Sequence, residues 1–145
     1  MLTAADFLST EVRRHVEAAI GEAERLTSGE IRVHLEDQCP EDVLDHAAFL
    51  FSELGMQRTR ERNGVLIYVS VADHGLAVLG DAGINAVVPA GFWNDVLDLL
   101  RNAFREGRHA EGLSAAVLRV GEKLAAHFPR RADDRDELPN TISTS

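Results

Sequence analysis

Apolar residues recur along this chain with two periods, one typical of helices and one typical of strands. In residues 4–26 they recur every three or four positions, which predicts an amphipathic helix that begins at the capping pair Thr3 and Asp6. The same spacing returns in residues 43–54, 92–104 and 111–127, which predicts three more helices. Pro40 fits the first turn of the second helix, because a proline there loses no helical hydrogen bond.

The segments with strand character are shorter. Residues 31–35 alternate between apolar and polar side chains, which predicts a strand with one buried face. Residues 64–72 are almost continuously apolar, as in a central strand covered on both faces. The turn signal at 73–75 joins this strand to residues 76–79 and predicts an antiparallel hairpin. Residues 85–88 are a candidate fourth strand.

The order of these elements, α-β-α-β-β-α-α, determines the predicted fold class. A right-handed crossover makes the first two strands parallel and places helices on both faces of the sheet. We therefore predict an α/β protein, a three-layer α/β/α sandwich with a small central mixed β-sheet. One domain is expected over residues 1–128. Residues 129–145 form a charged tail, expected to be partly mobile, in which Leu138, Pro139 and Ile142 could dock.

Composition and charge argue against several classes of protein. The formal net charge of the 145-residue chain is -9, which disfavours a nonspecific nucleic-acid binder because such proteins need a positive contact face. Cys39 is the only cysteine, which excludes an intramolecular disulfide and a cysteine-rich zinc module. The first residues lack the pattern of a signal peptide, and no run approaches the roughly 18 apolar residues of a membrane span. We expect a cytoplasmic protein without direct membrane insertion.

Four motifs resemble the TPM domain family in matching order, over about residues 4–142: Ser28-Gly29-Glu30-Ile31-Arg32-Val33, Arg62-Asn63-Gly64-Val65-Leu66-Ile67, Gly80-Asp81-Ala82-Gly83-Ile84-Asn85 and Phe92-Trp93. The chain is most similar to the stand-alone bacterial form. The resemblance implies a mixed sheet between helices and divalent metal binding in the loops. A plant thylakoid member is described as a metal-dependent acid phosphatase. Soluble relatives are often encoded near LemA-type membrane proteins, which implies a membrane-associated protein partner.

The predicted strand directions bring three polar residues to one end of the sheet. If the first two strands are parallel and the third is antiparallel, then Glu30, Asn63 and Asp81 lie together. Their carboxylate and amide oxygens are hard ligands suited to Ca²⁺ or Mg²⁺, and the neighbouring Arg62 could bind an anion such as phosphate. The alternative is that Asn63 and Asp81 occupy ordinary turns and that Glu30 is an exposed residue at the head of a strand.

The opposite end of the sheet carries a rival metal site. Glu36, Asp37 and Asp73 follow the first and second strands there, where ligands usually bind in open α/β sheets. The alternative is a solvated acidic rim around the hairpin turn.

These residues support three functional hypotheses. The first is a divalent-cation-binding module with a binding or regulatory role. The second is a weak metal-dependent acid phosphatase, in which metal-activated water would attack a phosphomonoester held near Arg62 and Asp81. The established phosphatase motifs are absent from the sequence, so this hypothesis rests on the resemblance. The third is a cytoplasmic scaffold that binds a protein.

Overall fold

The computed structural model describes residues 3–7, 9–130 and 141–145, which form one mixed four-stranded sheet with helices on both faces. The strands are β1 (Glu30–Glu36), β2 (Gly64–Ser70), β3 (Gly75–Gly80) and β4 (Ser143–Thr144). Their order in the sheet is β3-β2-β1-β4. Strand β1 is parallel to both β2 and β4, whereas β2 and β3 form an antiparallel hairpin. The predicted mixed sheet and hairpin are confirmed.

The described helices are α1 (Ala4–Phe7), α2 (Thr10–Glu24), α3 (Val43–Glu53), α4 (Ala82–Asn85), α5 (Phe92–Arg105) and α6 (His109–His127), with a short 3-10 turn at Met56–Arg58. Helices α2, α5 and α6 pack on one sheet face in the larger apolar core, around residues such as Ile20, Ile67 and Val117. Helix α3 packs on the other face, where Leu50 meets Leu66 and Tyr68. This layering confirms the α/β/α sandwich. None of the helices in the described ranges combines the length and the apolar character of a membrane-spanning segment.

Local capping corrects two predicted helix starts. The N-terminal helix does not run without a break from residue 4, because Ser9 caps α2 and its hydroxyl accepts a hydrogen bond from the amide of Val12. Asp42 caps α3 by accepting from the amides of Leu44 and Asp45. Pro40 therefore lies before this helix and not in its first turn.

The edge of the sheet also differs from the prediction. Strand β1 is buried on both faces, and the chain's C-terminal residues add β4 along its outer edge. The prediction that only one face of β1 is buried is therefore wrong, since the polar residues Arg32 and His34 are buried as well. The fourth strand is Ser143–Thr144 and not residues 85–88, since α4 reaches Asn85. Ile142 is docked with 5% exposure. Leu138 and Pro139 lie outside the described residues.

Candidate functional site

The starts of β1 and β2 and the end of β3 form one end of the sheet. Glu30 is the register partner of Gly64, and its amide donates to the carbonyl of Asn63 at 3.5 Å. The amide of Asp81 donates to the carbonyl of Gly64 at 2.9 Å. The structure thus brings Glu30, Asn63 and Asp81 to the same end of three neighbouring strands. We call this region the Asn63–Asp81 end.

All three residues are buried. Glu30 is 2% exposed, Asn63 is 1% exposed and Asp81 is 7% exposed. The alternative, in which Glu30 is an exposed residue at the head of a strand, is therefore wrong. Burying a carboxylate or an amide costs free energy unless the group finds a partner, so the partners of these side chains decide what the site can do.

Asp81 forms a bidentate ion pair with Arg62. The Nε atom of Arg62 donates to Oδ2 of Asp81 at 2.6 Å, and Nη2 donates to Oδ1 at 2.8 Å. Burial pushes the pKa of Asp81 up, but the bonds from Arg62 and from the amide of Ala82 outweigh it and leave the pKa below its usual value. The same pairing raises the pKa of Arg62. Asp81 is therefore a carboxylate at neutral pH, already matched by a cation.

The two loops that carry this ion pair also dock through their backbones. The amide of Gly83, in α4, donates to the carbonyl of Arg62 at 2.7 Å. A Cβ atom on Gly83 would stand 2.2 Å from the carbonyl oxygen of Glu61, so only glycine permits this approach. Arg62 itself has a φ of 53°, in the left-handed region. The turn before β2 and the start of α4 thus form one interlocked unit.

A second set of bonds braces the same unit from α5. The indole Nε1 of Trp93 donates to Oδ1 of Asn85 at 2.9 Å. The Nδ2 of Asn85 donates to the carbonyl of Gly80 at 2.8 Å. Sequence reasoning missed the roles of Asn85 and Trp93, since nothing in the spacing of the two residues signals that they bond to each other.

Asn63 has one satisfied and one unsatisfied side-chain atom. Its Nδ2 donates to the hydroxyl of Ser28 at 3.2 Å, and its backbone amide donates to Oγ1 of Thr59 at 3.1 Å. Its Oδ1 is buried and finds no hydrogen-bond partner among the described residues. A buried carbonyl oxygen without a donor is costly, and it is also a hard ligand for a cation.

The donor set at this end suits a hard cation only in part. In the portion of the chain that the structure describes, no group of three or more His, Cys, Asp or Glu side chains is arranged to hold a metal ion. Asp81 and Asn63 supply oxygen ligands, but both oxygens of Asp81 accept bonds from Arg62. In this arrangement the carboxylate of Asp81 already has a cationic partner.

The acidic residues of the rival site each have a separate set of partners. Glu36 accepts from the hydroxyl of Tyr68 at 2.6 Å and lies 2.7 Å from Nε2 of His46. Asp37 accepts from the amide of Ala4 at 2.6 Å. Asp73 accepts from Ser70 and from the amide of Cys39, and these bonds lower its pKa. The structure thus assigns these three carboxylates to holding Tyr68, α1 and the hairpin turn.

The ion pair predicts a specific dependence of stability on pH. Because the pKa of Asp81 is lowered on folding, its contribution is present above the unfolded value of about 3.9 and is lost as the pH falls through the folded value. We expect Asp81→Asn to reduce the free energy of unfolding by about 1–2 kcal/mol at pH 7, through the weakened cap and ion pair. The difference from the wild type should shrink at pH 3.

Urea unfolding at the two pH values measures this difference. The control is Asp98→Asn, which neutralises an exposed carboxylate paired with Arg101 on α5 and should change stability little at either pH. An Asp81→Asn effect of the same size at pH 7 and pH 3 would contradict the assignment.

Comparisons with known proteins agree with this architecture. The family model described as "TPM domain" matches residues 2–123. The solved structure of the BA42 protein from the psychrophilic bacterium Bizionia argentinensis is similar over 100% of both chains, at 43% identity and a TM-score of 0.91. The N-terminal domain of a protein from P. gingivalis shares the fold at 23% identity and a TM-score of 0.70, over 86% of this chain and 81% of that one. No curated protein matches the sequence.

Proposed function

Because this chain belongs to the TPM domain family, we propose that it is a divalent-cation-binding module whose site lies at the Asn63–Asp81 end of the sheet. The observation that carries the proposal is the buried Oδ1 of Asn63, which no described residue satisfies. It lies at the same end as Asp81, a buried carboxylate with a lowered pKa. An amide oxygen and an ionised carboxylate favour Ca²⁺ or Mg²⁺ over softer metals. In this proposal, the carboxylate of Glu30 is a third oxygen ligand at this end.

In this proposal, Arg62 competes with the divalent cation for the carboxylate of Asp81. Its guanidinium neutralises Asp81 in the described state, and its side chain is 53% exposed, so it can turn into solvent. A guanidinium and a divalent cation repel each other and cannot share the carboxylate. Binding therefore exchanges one cationic partner of Asp81 for another. Such an exchange, which frees Arg62, gives the module a regulatory output.

Titration with CaCl₂ followed by amide NMR tests the site. We expect shifts at residues 29–31, 62–64 and 80–84, and weaker shifts of the same residues with MgCl₂. Arg62→Gln should tighten calcium binding about tenfold, because the competing cation is gone, whereas Asp81→Asn should weaken it at least tenfold. Each variant is compared by its dissociation constant and its melting temperature.

Arg60→Gln is the matched control, since it removes the same charge from an exposed position two residues away. An equal gain in affinity for Arg60→Gln would show that only the overall charge matters. No shifts with millimolar calcium in either the wild type or Arg62→Gln would reject the proposal. Shifts confined to Glu36, Asp37 and Asp73 would move the site to the opposite end.

The two alternatives remain predictions from the sequence and the family resemblance. Phosphomonoester hydrolysis would need the same release of Arg62, whose guanidinium is bonded to Asp81 in the described state. It predicts metal-dependent turnover of an aryl phosphate that Asp81→Ala abolishes. If the chain is a cytoplasmic scaffold that binds a LemA-type membrane protein, neither calcium nor Asp81→Ala should change its affinity for that protein.

A further inference from the structure

A second candidate site lies at the opposite end of β2, away from Asn63 and Asp81. A cavity of about 440 Å³ opens there, between the β2–β3 turn, α1 and the junction of α5 with α6. Its apolar walls are buried or partly buried side chains: Phe7, Val69, Val71, Leu76 and Phe104. This volume lies within the roughly 300–1,000 Å³ of small-molecule sites. The cavity is also next to the carboxyl end of a parallel strand, where ligands bind in open α/β sheets.

The solvent side of this cavity is cationic, although the chain as a whole carries a formal net charge of -9. Arg101 and Arg105 both line it from α5 and are exposed. Arg105 forms no ion pair with any residue that the structure describes, and Arg101 has only a 3.3 Å contact with the exposed carboxylate of Asp98. Two histidines, His74 and His109, and Ser70 are the other polar side chains of the lining.

Two acidic residues that neighbour cavity residues in the sequence, Asp73 and Glu106, form their bonds with groups other than Arg101 and Arg105. Asp73 faces Ser70 and the amide of Cys39 through its hydrogen bonds. Glu106 lies beside Arg105 in the sequence but contacts Arg108 at 3.7 Å. The guanidinium groups of Arg101 and Arg105 therefore keep hydrogen-bond donors available beside the apolar cavity.

We propose that this cavity binds a small amphiphilic carboxylate, free in solution, with its apolar chain against Phe7, Leu76 and Phe104 and its carboxylate at Arg101 and Arg105. The walls remove the apolar chain from water, which is the main favourable term. Guanidinium groups bind carboxylates with two parallel hydrogen bonds, which orients the ligand with its charge towards solvent. Sugars and free nucleotides fit less well, because these walls offer few hydrogen-bond partners.

Octanoate and 1-octanol are matched probes for this cavity, since they share the chain and differ in the charged group. In amide NMR titrations of the full chain, octanoate should shift residues 69–71, 74–76 and 101–109 and leave residues 62–64 and 80–84 unchanged. The double variant Arg101→Gln/Arg105→Gln should weaken octanoate binding at least tenfold and leave octanol binding unchanged. Arg119→Gln, an exposed arginine of α6 outside this cavity, should change neither.

Leu76→Phe provides a second, steric test, because the larger ring narrows the cavity and should weaken binding of both probes while the melting temperature stays within a few degrees. If octanol binds as tightly as octanoate, or if the double variant binds octanoate normally, carboxylate recognition is wrong. If octanoate shifts no cavity residue at millimolar concentration, the site itself is wrong. These outcomes do not depend on whether the cation proposal is correct, because the residues of the cation site lie at the other end of β2.

Discussion

Gly83→Ala should destabilise the folded protein by about 3 kcal/mol, because the added methyl group has no room to fit. It would stand 2.2 Å from the carbonyl oxygen of Glu61 and 2.6 Å from that of Arg62. Both atoms belong to the backbone, so neither can rotate away. The two loops must separate, which also breaks the 2.7 Å bond between Gly83 and Arg62. Thermal unfolding should show a melting temperature lower by roughly 6–12 °C.

Gly21→Ala is the matched control, since Gly21 also lies in a helix. A Cβ atom there would meet nothing within 4 Å. Alanine in α2 should therefore stabilise the protein by about 0.5–1 kcal/mol, through the lower conformational entropy of the unfolded chain. The same substitution is thus expected to lower the free energy of unfolding at Gly83 and to raise it at Gly21. A Gly83→Ala protein as stable as the wild type would show that the two loops do not interlock.

Ile142→Ala should reduce the free energy of unfolding by about 2–4 kcal/mol, the usual cost of truncating a buried isoleucine. Ile142 is 5% exposed and belongs to the larger apolar core. Its amide donates to Oε2 of Glu17 at 3.0 Å, which anchors the residue to α2. Losing the side chain should release β4 and expose the outer edge of β1.

Urea unfolding gives the stability, and amide hydrogen exchange reports the edge of β1. Ile142→Ala should speed exchange in the C-terminal residues, where the amide of Ser145 donates to the carbonyl of Leu35. Thr144→Ala serves as the control, since Thr144 is an exposed residue of β4. A change of less than about 0.5 kcal/mol for Ile142→Ala would contradict the docking of this segment.

The docked segment also provides partners for His34, a residue of the predicted polar face of β1. The ring nitrogens of His34 each lie within hydrogen-bond distance of a C-terminal hydroxyl, Nδ1 at 2.7 Å from Ser143 and Nε2 at 2.6 Å from Ser145. Burial lowers the pKa of His34, only partly opposed by Glu36. The alternation of residues 31–35 predicted an exposed polar face because a partner about 110 residues away leaves no local signal in the sequence.

The candidate site was predictable in position but not in its bonding. The strand directions follow from the crossover and the hairpin, so Glu30, Asn63 and Asp81 could be expected at one end of the sheet. Their burial and the pairing of Asp81 with Arg62 could not. A carboxylate's partner depends on the approach of two loops to within hydrogen-bond distance, and periodicity carries no information on that distance.

The sequence by itself determined the TPM family resemblance, the sandwich, the mixed sheet and the order of the main elements. These properties follow from hydrophobic periods and turn residues, which act over a few neighbouring positions. Only the tertiary structure decided that Asp81 is matched by Arg62, that Gly83 locks two loops together, and that a C-terminal strand closes the edge of β1. Each of these contacts joins residues distant in sequence, and its free energy depends on ångström-scale packing.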